Sequence, residues 1–198
     1  PRYVAVSDAD CVEEFRQLLK IASAGPPTTT FEGRQAPLYD VKILAGAEGL
    51  TEIAGLEQVD TVLAAVVGVA GLSAVLAAVR KGKRIAIANK EPLVIAGQLI
   101  TAEAKKYGAE LLPVDSEHSA IFQAMQAGRH DEVAKIVLTT SGGPFRRANP
   151  AEIQDASIEQ VLAHPVWRMG PKITVDSATM MNKALEIIEA RWLFDVPA

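Results

Sequence analysis

The chain has 198 residues, of which 49% are hydrophobic and 22% are charged, enough for one large globular domain or two small ones. Its net charge is −4, and its basic residues are scattered rather than gathered into a positive patch. Nucleic acids and anionic membranes bind such patches, so we expect neither as a partner.

The cysteine content and the first residues give information about the cellular compartment of the protein. Cys11 is the only cysteine, so the chain cannot form an internal disulfide. A reducing compartment is consistent with this, and so is a secreted protein without disulfides. The stretch PRYVAVSDAD has no basic segment followed by a long apolar run, so we expect no secretion signal there.

The first half of the chain alternates short apolar strands with helical patterns. The predicted strands are RYVAVS (2–7), VKILAG (41–46), DTVLAAVV (60–67) and RIAIAN (84–89). The predicted helices lie at about 9–22, 47–56, 71–82 and 91–107, and SAGPPTTTFEG (23–33) is predicted to be a surface loop. Apolar strands that alternate with helices are typical of a parallel sheet covered on both faces. We therefore predict a doubly wound, Rossmann-like α/β fold.

One segment resembles a membrane-spanning helix. Residues 62–79 are uncharged and are followed by the basic stretch RKGKR, which is about the minimum pattern for a spanning helix. However, the segment is rich in alanine and has Gly68 and Gly71 near its middle. A buried strand, a turn and a packed helix suit these features better, so we predict that it does not span a membrane.

A second group of elements follows Gly108. The predicted strands are AELLPVD (109–115) and KIVLTTS (135–141), and the predicted helices are 116–128, about 151–162, and a final one in ATMMNKALEIIEARWLF (178–194). The predicted loops are SGGPFRRANP (141–150) and HPVWRMGPKITVDS (164–177). We place a domain boundary near residue 108, which divides the chain into domains 1–108 and 109–198.

The polar group DSEH ends the predicted strand 109–115, at the edge where ligands bind in open α/β sheets. Asp115 and Glu117 could point to the same side of the extended backbone and share one hard divalent cation. Alternatively, Ser116 caps the following helix, with Glu117 and His118 in the first turn, and the pattern then has no function.

A second polar group lies on the final predicted helix. Asn182, Lys183 and Glu186 are three or four residues apart and share one face. Their amide, ammonium and carboxylate could hold hydroxyls, a phosphate and a metal. The alternative is a solvated face with a Lys183–Glu186 pair, in which Ser177 only caps the helix.

Two predicted loops carry weaker signals. In SGGPF (141–145), the glycines let backbone N–H groups approach an anion and Ser141 adds a donor, but an ordinary turn also fits. HPVWRMG (164–170) could close over a substrate and exclude water, or it could pack Trp167 against the core.

The triplet Asn89, Lys90 and Glu91 follows the predicted strand RIAIAN. Three polar side chains at the carboxyl end of a parallel strand suit a ligand crevice. They suit an ordinary strand-to-helix transition equally well.

Four segments together resemble the 1-deoxy-D-xylulose 5-phosphate reductoisomerase family, both in their order along the chain and in their residues. They are IANKEPLV, LLPVDSEHSAIFQ, TTSGGPFR and HPVWRMGPKITVDSATMMNKALEIIEARWLF. The resemblance covers essentially the whole chain, and the long motifs at its end are highly specific. Thr140 departs from it, because a small residue is expected there. That family makes 2-C-methyl-D-erythritol 4-phosphate in non-mevalonate isoprenoid biosynthesis, using NADPH and Mg²⁺ or Mn²⁺. The resemblance therefore implies an NADP-dependent oxidoreductase that also isomerises its substrate.

The resemblance also implies a role for each matching residue. The implied metal ligands are Asp115, Glu117 and Glu186, and these three with Lys90 are the implied catalytic residues. The implied substrate contacts are Lys90, Ser116, Glu117, Ser141, His164, Trp167 (as a lid), Ser177, Asn182, Lys183 and Glu186. The implied NADPH contacts are Asn89, Glu91, Met169 and Gly170. His118 receives no role beyond the first turn of its helix.

Domain roles and partners follow from the same resemblance. In this family a cofactor-binding turn rich in Gly, Ser and Thr precedes the position of residue 1, and a helical region follows residue 198. We therefore expect 1–108 to be a partial NADPH-binding domain and 109–198 to be the metal- and substrate-binding catalytic domain. A phosphosugar substrate, a homodimer in the intact enzyme, and a cytoplasmic or plastid location are also implied. The alternative is a non-catalytic module that binds metal and phosphosugar but does not hold NADPH firmly.

Overall fold

The computed structural model describes residues 1–23 and 41–196, and residues 24–33 of the predicted surface loop lie outside this part. The described strands are β1 (Tyr3–Val6), β2 (Lys42–Ala45), β3 (Thr61–Ala64), β4 (Arg84–Ile87) and β5 (Glu110–Pro113). They form two sheets, β1–β2 and β3–β4–β5, and every pairing is parallel. The predicted α/β class with parallel strands is confirmed, although the described strands form two sheets rather than one.

Helices connect and cover these strands. The described α-helices are α1 (Val12–Ser23), α2 (Gly46–Gly55), α3 (Leu72–Arg80), α4 (Glu91–Tyr107), α5 (Ser116–Met125), α6 (Pro150–Gln154), α7 (Ile158–Leu162), α8 (Pro171–Ala178) and α9 (Met181–Phe194). Short 3-10 helices occupy Ala9–Cys11, Gly68–Gly71 and His130–Glu132. Helix α4 has the bounds that the sequence predicted, because Pro92 suits its first turn and Gly108 ends it in the left-handed conformation.

The alanine-rich segment 62–79 divides as predicted. It contributes most of β3, the 3-10 turn Gly68–Gly71 and most of α3. Gly68 has a φ of +76°, which favours glycine and sets the turn between strand and helix. Among the described helices, none is long and apolar enough to cross a membrane.

Three predictions about the second half were wrong. Residues 135–141 are described but belong to no strand, because no described strand pairs with them to accept their backbone hydrogen bonds. The predicted helix 151–162 is two short helices, since Ser157 caps a new one by accepting from the Gln160 N–H. The predicted loop 164–177 ends in a helix, α8, whose first residue is Pro171.

The core lies between the β3–β4–β5 sheet and helices α3 and α4. Its fully buried side chains include Val79, Ile85, Leu93 and Ile100. Burying each of these side chains stabilises the fold by about 1.5–3 kcal/mol. Helix α9 packs on α4.

A single glycine permits the close approach of α9 to α4. A Cβ at Gly97 would lie 2.2 Å from Cδ1 of Trp192, so only glycine fits opposite this indole. The final helix of the chain is thereby held against the first half of the molecule.

Strands β4 and β5 lie side by side, with Ile87 opposite Pro113. The Val114 N–H continues the pairing by donating to the Ile87 carbonyl at 2.9 Å. The predicted domain boundary near residue 108 thus falls between two paired strands, and the division into two domains stays a prediction. The pairing brings the residues that follow both strands to one edge of the sheet.

Candidate functional site

Two polar groups meet at the carboxyl ends of β4 and β5. Lys90 precedes the first residue of α4, and Asp115 precedes the first residue of α5. Asp115 occupies the N-cap position, but its carboxylate makes no capping hydrogen bond. Ser116 lies inside the helix, and its hydroxyl donates to Glu117 Oε2 at 2.6 Å. The capping alternative for Ser116 is therefore wrong, and the Asp115 carboxylate faces the cleft instead.

Helix α9 adds a third carboxylate. Asp115, Glu117 and Glu186 each offer an oxygen that lies within 4.8 Å of the oxygens of the other two. Glu186 is 0% exposed, so the solvated-face alternative for this helix is wrong. Burial raises the pKa of Glu186, the carboxylates of Glu117 and Asp115 add to the effect, and Lys183 opposes it. Oxygen donors this close are the ligands that Mg²⁺ and Ca²⁺ prefer, so the three side chains fit a hard divalent cation.

Two lysines neutralise these carboxylates. Lys90 Nζ forms an ion pair with Asp115 and lies 3.9 Å from Glu186 Oε1. Lys183 Nζ forms an ion pair with Glu186 and lies 3.2 Å from Glu117 Oε1. Burial by itself lowers the pKa of Lys90, but the hydrogen bond and charge of Asp115 and the charge of Glu186 raise it overall. Both ammonium groups therefore contact the carboxylates that could hold a cation.

A cleft of about 510 Å³ opens from this cluster. Twelve of the predicted site residues line it: Lys90, Asp115, Ser116, Glu117, Ser141, His164, Trp167, Met169, Ser177, Asn182, Lys183 and Glu186. Trp167 is 63% exposed at the cleft and does not pack in the core, so the packing alternative for this loop is wrong.

The glycine loop after residue 140 brings a second set of side chains to the cleft. Gly143 has a φ of +62°, and a Cβ there would lie 2.6 Å from the carbonyl oxygen of Ser177. Only glycine lets the loop pass this close to the end of α8. Ser141 and Ser177 are thereby brought to the same cleft.

His164 orients the Ser141 hydroxyl. His164 Nδ1 accepts hydrogen bonds from the N–H groups of Val166, at 3.2 Å, and Trp167, at 2.9 Å. In a neutral imidazole Nε2 then carries the proton and donates to Ser141 Oγ at 3.2 Å. The Gly143 N–H donates to the same oxygen at 3.3 Å. Because Ser141 Oγ already accepts two hydrogen bonds, its own O–H is available as a donor.

Three of the four predicted NADPH contacts do not line this cleft. Asn89 is buried and donates to the carbonyls of Val66 and, at 2.8 Å, Gly68. Glu91 forms an ion pair with Lys172 of α8. Gly170 is the N-cap residue of α8, and Met169 before it does line the cleft.

The structure adds residues to which the sequence analysis assigned no role in the site. Thr139, Thr140, Arg168, Ile173 and Met180 also line the cleft. Arg168 could have been noticed, because it is the one cation in the loop HPVWRMG. Met180 has a φ of +62°, a strained conformation for a residue with a side chain, and no local pattern indicates it.

Behind the cleft lie His118 and Glu189, which are 0% and 1% exposed. His118 Nε2 lies 2.9 Å from the carbonyl oxygen of Glu186, and its Nδ1 lies 3.4 Å from Glu189 Oε2. Burial raises the pKa of Glu189 to about 8. The charge of Lys90 acts in the opposite direction, and the neighbouring carboxylates add to the increase. Glu189 follows Glu186 by three residues, so helical spacing could have indicated it.

Both halves of the chain match family models. Residues 1–97 match the model described as 1-deoxy-D-xylulose 5-phosphate reductoisomerase, and residues 111–194 match that described as the C-terminal domain of the same enzyme. The reductoisomerase of Geobacillus sp. (strain WCH70) is 50% identical over 197 residues, which are 100% of this chain and 47% of that protein. That of Pelodictyon phaeoclathratiforme is 49% identical over 198 residues, with the same coverage. The chain spans about half the length of these curated relatives.

Solved structures of the same enzyme resemble this fold. DOX-P reductoisomerase in complex with NADPH, fosmidomycin and magnesium is 45% identical, with a TM-score of 0.83 over 99% of this chain and 47% of that one. The Zymomonas mobilis enzyme in complex with NADPH is 43% identical, with a TM-score of 0.80 over 99% and 46%. From these matches in sequence and fold, the chain belongs to the 1-deoxy-D-xylulose 5-phosphate reductoisomerase family.

Proposed function

We propose that this chain carries the metal- and substrate-binding site of an NADPH-dependent reductoisomerase, which converts 1-deoxy-D-xylulose 5-phosphate into 2-C-methyl-D-erythritol 4-phosphate. The convergence of Asp115, Glu117 and Glu186 beside two lysines is the observation that carries the proposal. The relatives named for this activity support it, including one solved with NADPH and magnesium.

The three carboxylates would hold Mg²⁺ or Mn²⁺, which polarises the ketone and hydroxyl oxygens of the substrate when it is bound. Lys90 and Lys183 now pair with the same carboxylates. With these oxygens committed to a cation, both ammonium groups would be available to the substrate. Lys90 then stabilises negative charge near the reacting oxygens, and Ser116 and Glu117 orient the same end of the substrate.

The opposite side of the cleft would hold the substrate phosphate. Ser141 has an available O–H donor, as argued above, and Ser177 lies against the same glycine loop. Asn182 and Lys183, which bond to Glu186 in this structure, would add an amide and a charge from the carboxylate side of the same cleft. Because the phosphate is remote from the reacting carbons, its binding energy can orient the substrate for the reaction.

The loop 164–170 would close over the bound substrate. His164 is already bonded to Ser141, so substrate at this serine also contacts the base of the loop. Trp167, exposed in this structure, would cover the substrate and exclude water.

The NADPH site would adjoin Met169, with Gly170, Asn89 and Glu91 as further contacts. When bound, the cofactor supplies the hydride, and the protein supplies position and a dry cavity. Within this proposal, 1–108 is a partial cofactor domain and 109–198 is the catalytic domain. A homodimer of the intact enzyme and a bacterial cytoplasmic location belong to the same proposal, the latter because the named relatives are bacterial.

A second candidate is a module that binds metal and phosphosugar without turnover. It is favoured by the finding that Met169 alone among the four predicted NADPH contacts lines the cleft. The deciding experiment titrates the 198-residue chain with NADPH in the presence of Mn²⁺ and then adds 1-deoxy-D-xylulose 5-phosphate. Micromolar NADPH binding with substrate-dependent oxidation supports the enzyme. Binding of Mn²⁺ and phosphosugar without oxidation supports the module, and no Mn²⁺ binding contradicts both.

A further inference from the structure

We propose that His118 and Glu189 are positioning residues, which hold the carboxylates of Asp115 and Glu186 in place from behind the cleft. Neither residue is among those that line the cleft. The inference rests on the proposed metal site, because its effect is to set the geometry of two of the three proposed ligands.

His118 links helix α5 directly to the backbone of a proposed ligand. Its Nε2 lies 2.9 Å from the carbonyl oxygen of Glu186. A carbonyl oxygen only accepts hydrogen bonds, so Nε2 carries a proton and donates it. The ring also stacks on Phe194 near the end of α9, with centroids 6.1 Å apart and an interplanar angle of 27°. Both contacts lie on α9, at Glu186 and at Phe194, and they therefore fix this helix relative to α5.

Glu189 faces the other side of the same ring. Its Oε2 lies 3.4 Å from His118 Nδ1, and neither atom has a hydrogen bond within the described part of the chain. Asp115 Oδ2 lies 4.0 Å from the same Nδ1. Buried polar atoms without partners are rare. Because the neutral ring carries its proton on Nε2, Nδ1 is an acceptor, and Glu189, whose pKa burial raises to about 8, can donate its carboxyl proton to Nδ1 after a small movement. The ring is thereby held by Glu189 and lies against Asp115 and Glu186.

This arrangement matters because metal affinity depends on the groups that orient the ligands. Losing the His118 donor would leave the buried Glu186 carbonyl without this partner and release the turn of α9 that carries the carboxylate. Outer groups of this kind commonly change metal affinity by about 10–100-fold. We expect changes of that size from residues that do not touch the cation.

The test measures Mn²⁺ affinity of the 198-residue chain by electron paramagnetic resonance of the free ion. In His118→Gln the amide N–H can reach the position of Nε2, whereas in His118→Asn it is too short to reach the Glu186 carbonyl. We expect His118→Gln to retain most of the affinity, and His118→Asn to lose about 10-fold or more. Likewise, Glu189→Gln keeps a donor for Nδ1 and should retain affinity, whereas Glu189→Leu should lose it.

A control separates positioning from stability. Val79→Ala removes volume from the core at a residue that does not line the cleft, and it should lower the melting temperature without changing Mn²⁺ affinity. Equal affinities for His118→Gln and His118→Asn would overturn the inference, and this comparison decides the matter even if Glu189→Leu does not fold.

The proposed metal site is tested separately in the same series. If the unsubstituted chain binds no Mn²⁺, or if Glu186→Gln binds it equally well, the metal site itself is wrong and the inference falls with it. If the unsubstituted chain binds Mn²⁺, Glu186→Gln does not, and the two His118 variants bind alike, the positioning role alone is wrong.

Discussion

Lys183 Nζ lies 3.2 Å from Glu117 Oε1, so a side chain of α9 reaches a carboxylate of α5 across 66 positions of sequence. The same ammonium group also pairs with Glu186. The hydrogen bond from Ser116 and the neighbouring Lys183 lower the pKa of Glu117, although burial acts in the opposite direction. Glu117 is therefore ionised near neutral pH, as a metal ligand must be.

Glu186→Gln should abolish most Mn²⁺ binding and leave the fold intact. The amide keeps the size of the side chain and can still bond to Asn182, while the buried site loses a charge that burial disfavours. The loss of affinity should exceed the about 10–100-fold effect of outer groups. Calorimetric titration measures the affinity, and Glu110→Gln, an exposed glutamate at the start of β5, is the matched control. Unchanged affinity would remove Glu186 from the ligand set.

Trp167→Ala should weaken phosphosugar binding with little loss of stability. Its side chain is mostly exposed, and surface substitutions usually change the free energy of unfolding by less than about 0.5 kcal/mol. Trp192→Ala is the contrasting control, because Trp192 packs against Gly97 and the core and its loss should cost about 3–5 kcal/mol. Thermal unfolding and ligand titration measure both effects. A large drop in melting temperature for Trp167→Ala would contradict the proposed lid.

Gly143→Ala should lower both stability and phosphosugar affinity. The left-handed backbone alone costs a residue with a side chain about 1–2 kcal/mol, and the new methyl group would collide with the Ser177 carbonyl. The control is Gly55→Ala, where nothing lies within 4 Å of the new Cβ and φ is not positive. Urea unfolding gives the free energies. Equal stability of the two variants would show that the loop does not hold its close approach to α8 in solution.

Glu189 should make the metal-free protein less stable as the pH rises. Burial raises its pKa from the ordinary value of 4.5 to about 8 in the folded state, so between these values the folded state holds more protons than the unfolded state. The contribution of Glu189 to stability is fully present below the pKa of the unfolded state and is lost as the pH rises through the pKa of the folded state. The free energy of unfolding falls by up to about 1.4 kcal/mol per pH unit in this range. Urea unfolding from pH 5 to 8 measures the slope. It should flatten in Glu189→Gln, and identical slopes would contradict the raised pKa.

Local sequence patterns predicted some elements well and others poorly. The helix predicted at about 91–107 is observed at those bounds, because its apolar spacing, Pro92 in its first turn and Gly108 directly after its last residue are all local features of the chain. Residues 135–141 have the composition of a strand but form none, since a strand also needs a neighbour to pair with. Their β-branched side chains could not reveal that no partner is present among the described strands.

In the site, too, some residues could be identified from local sequence and others could not. Asp115, Ser116 and Glu117 could be singled out because they follow a predicted strand at the edge where ligands bind. Their helix-cap alternative could not be rejected until the structure showed that the Asp115 carboxylate makes no capping bond. His118 was passed over because a histidine in a first helical turn is ordinary, and only its contact with the distant Glu186 carbonyl distinguishes it.

The sequence by itself determined the α/β class, the family and the residue types that the site contains, because apolar periodicity and the residues of a motif are local properties of the chain. The tertiary structure alone decided which of these residues meet. The pairing of β4 with β5 brings Lys90 to Asp115, and the packing of α9 on α4 and α5 brings Glu186 to both. Burial of Glu186 and Glu189, and the pKa shifts that result, arise from that packing, since desolvation depends on neighbours far away in sequence.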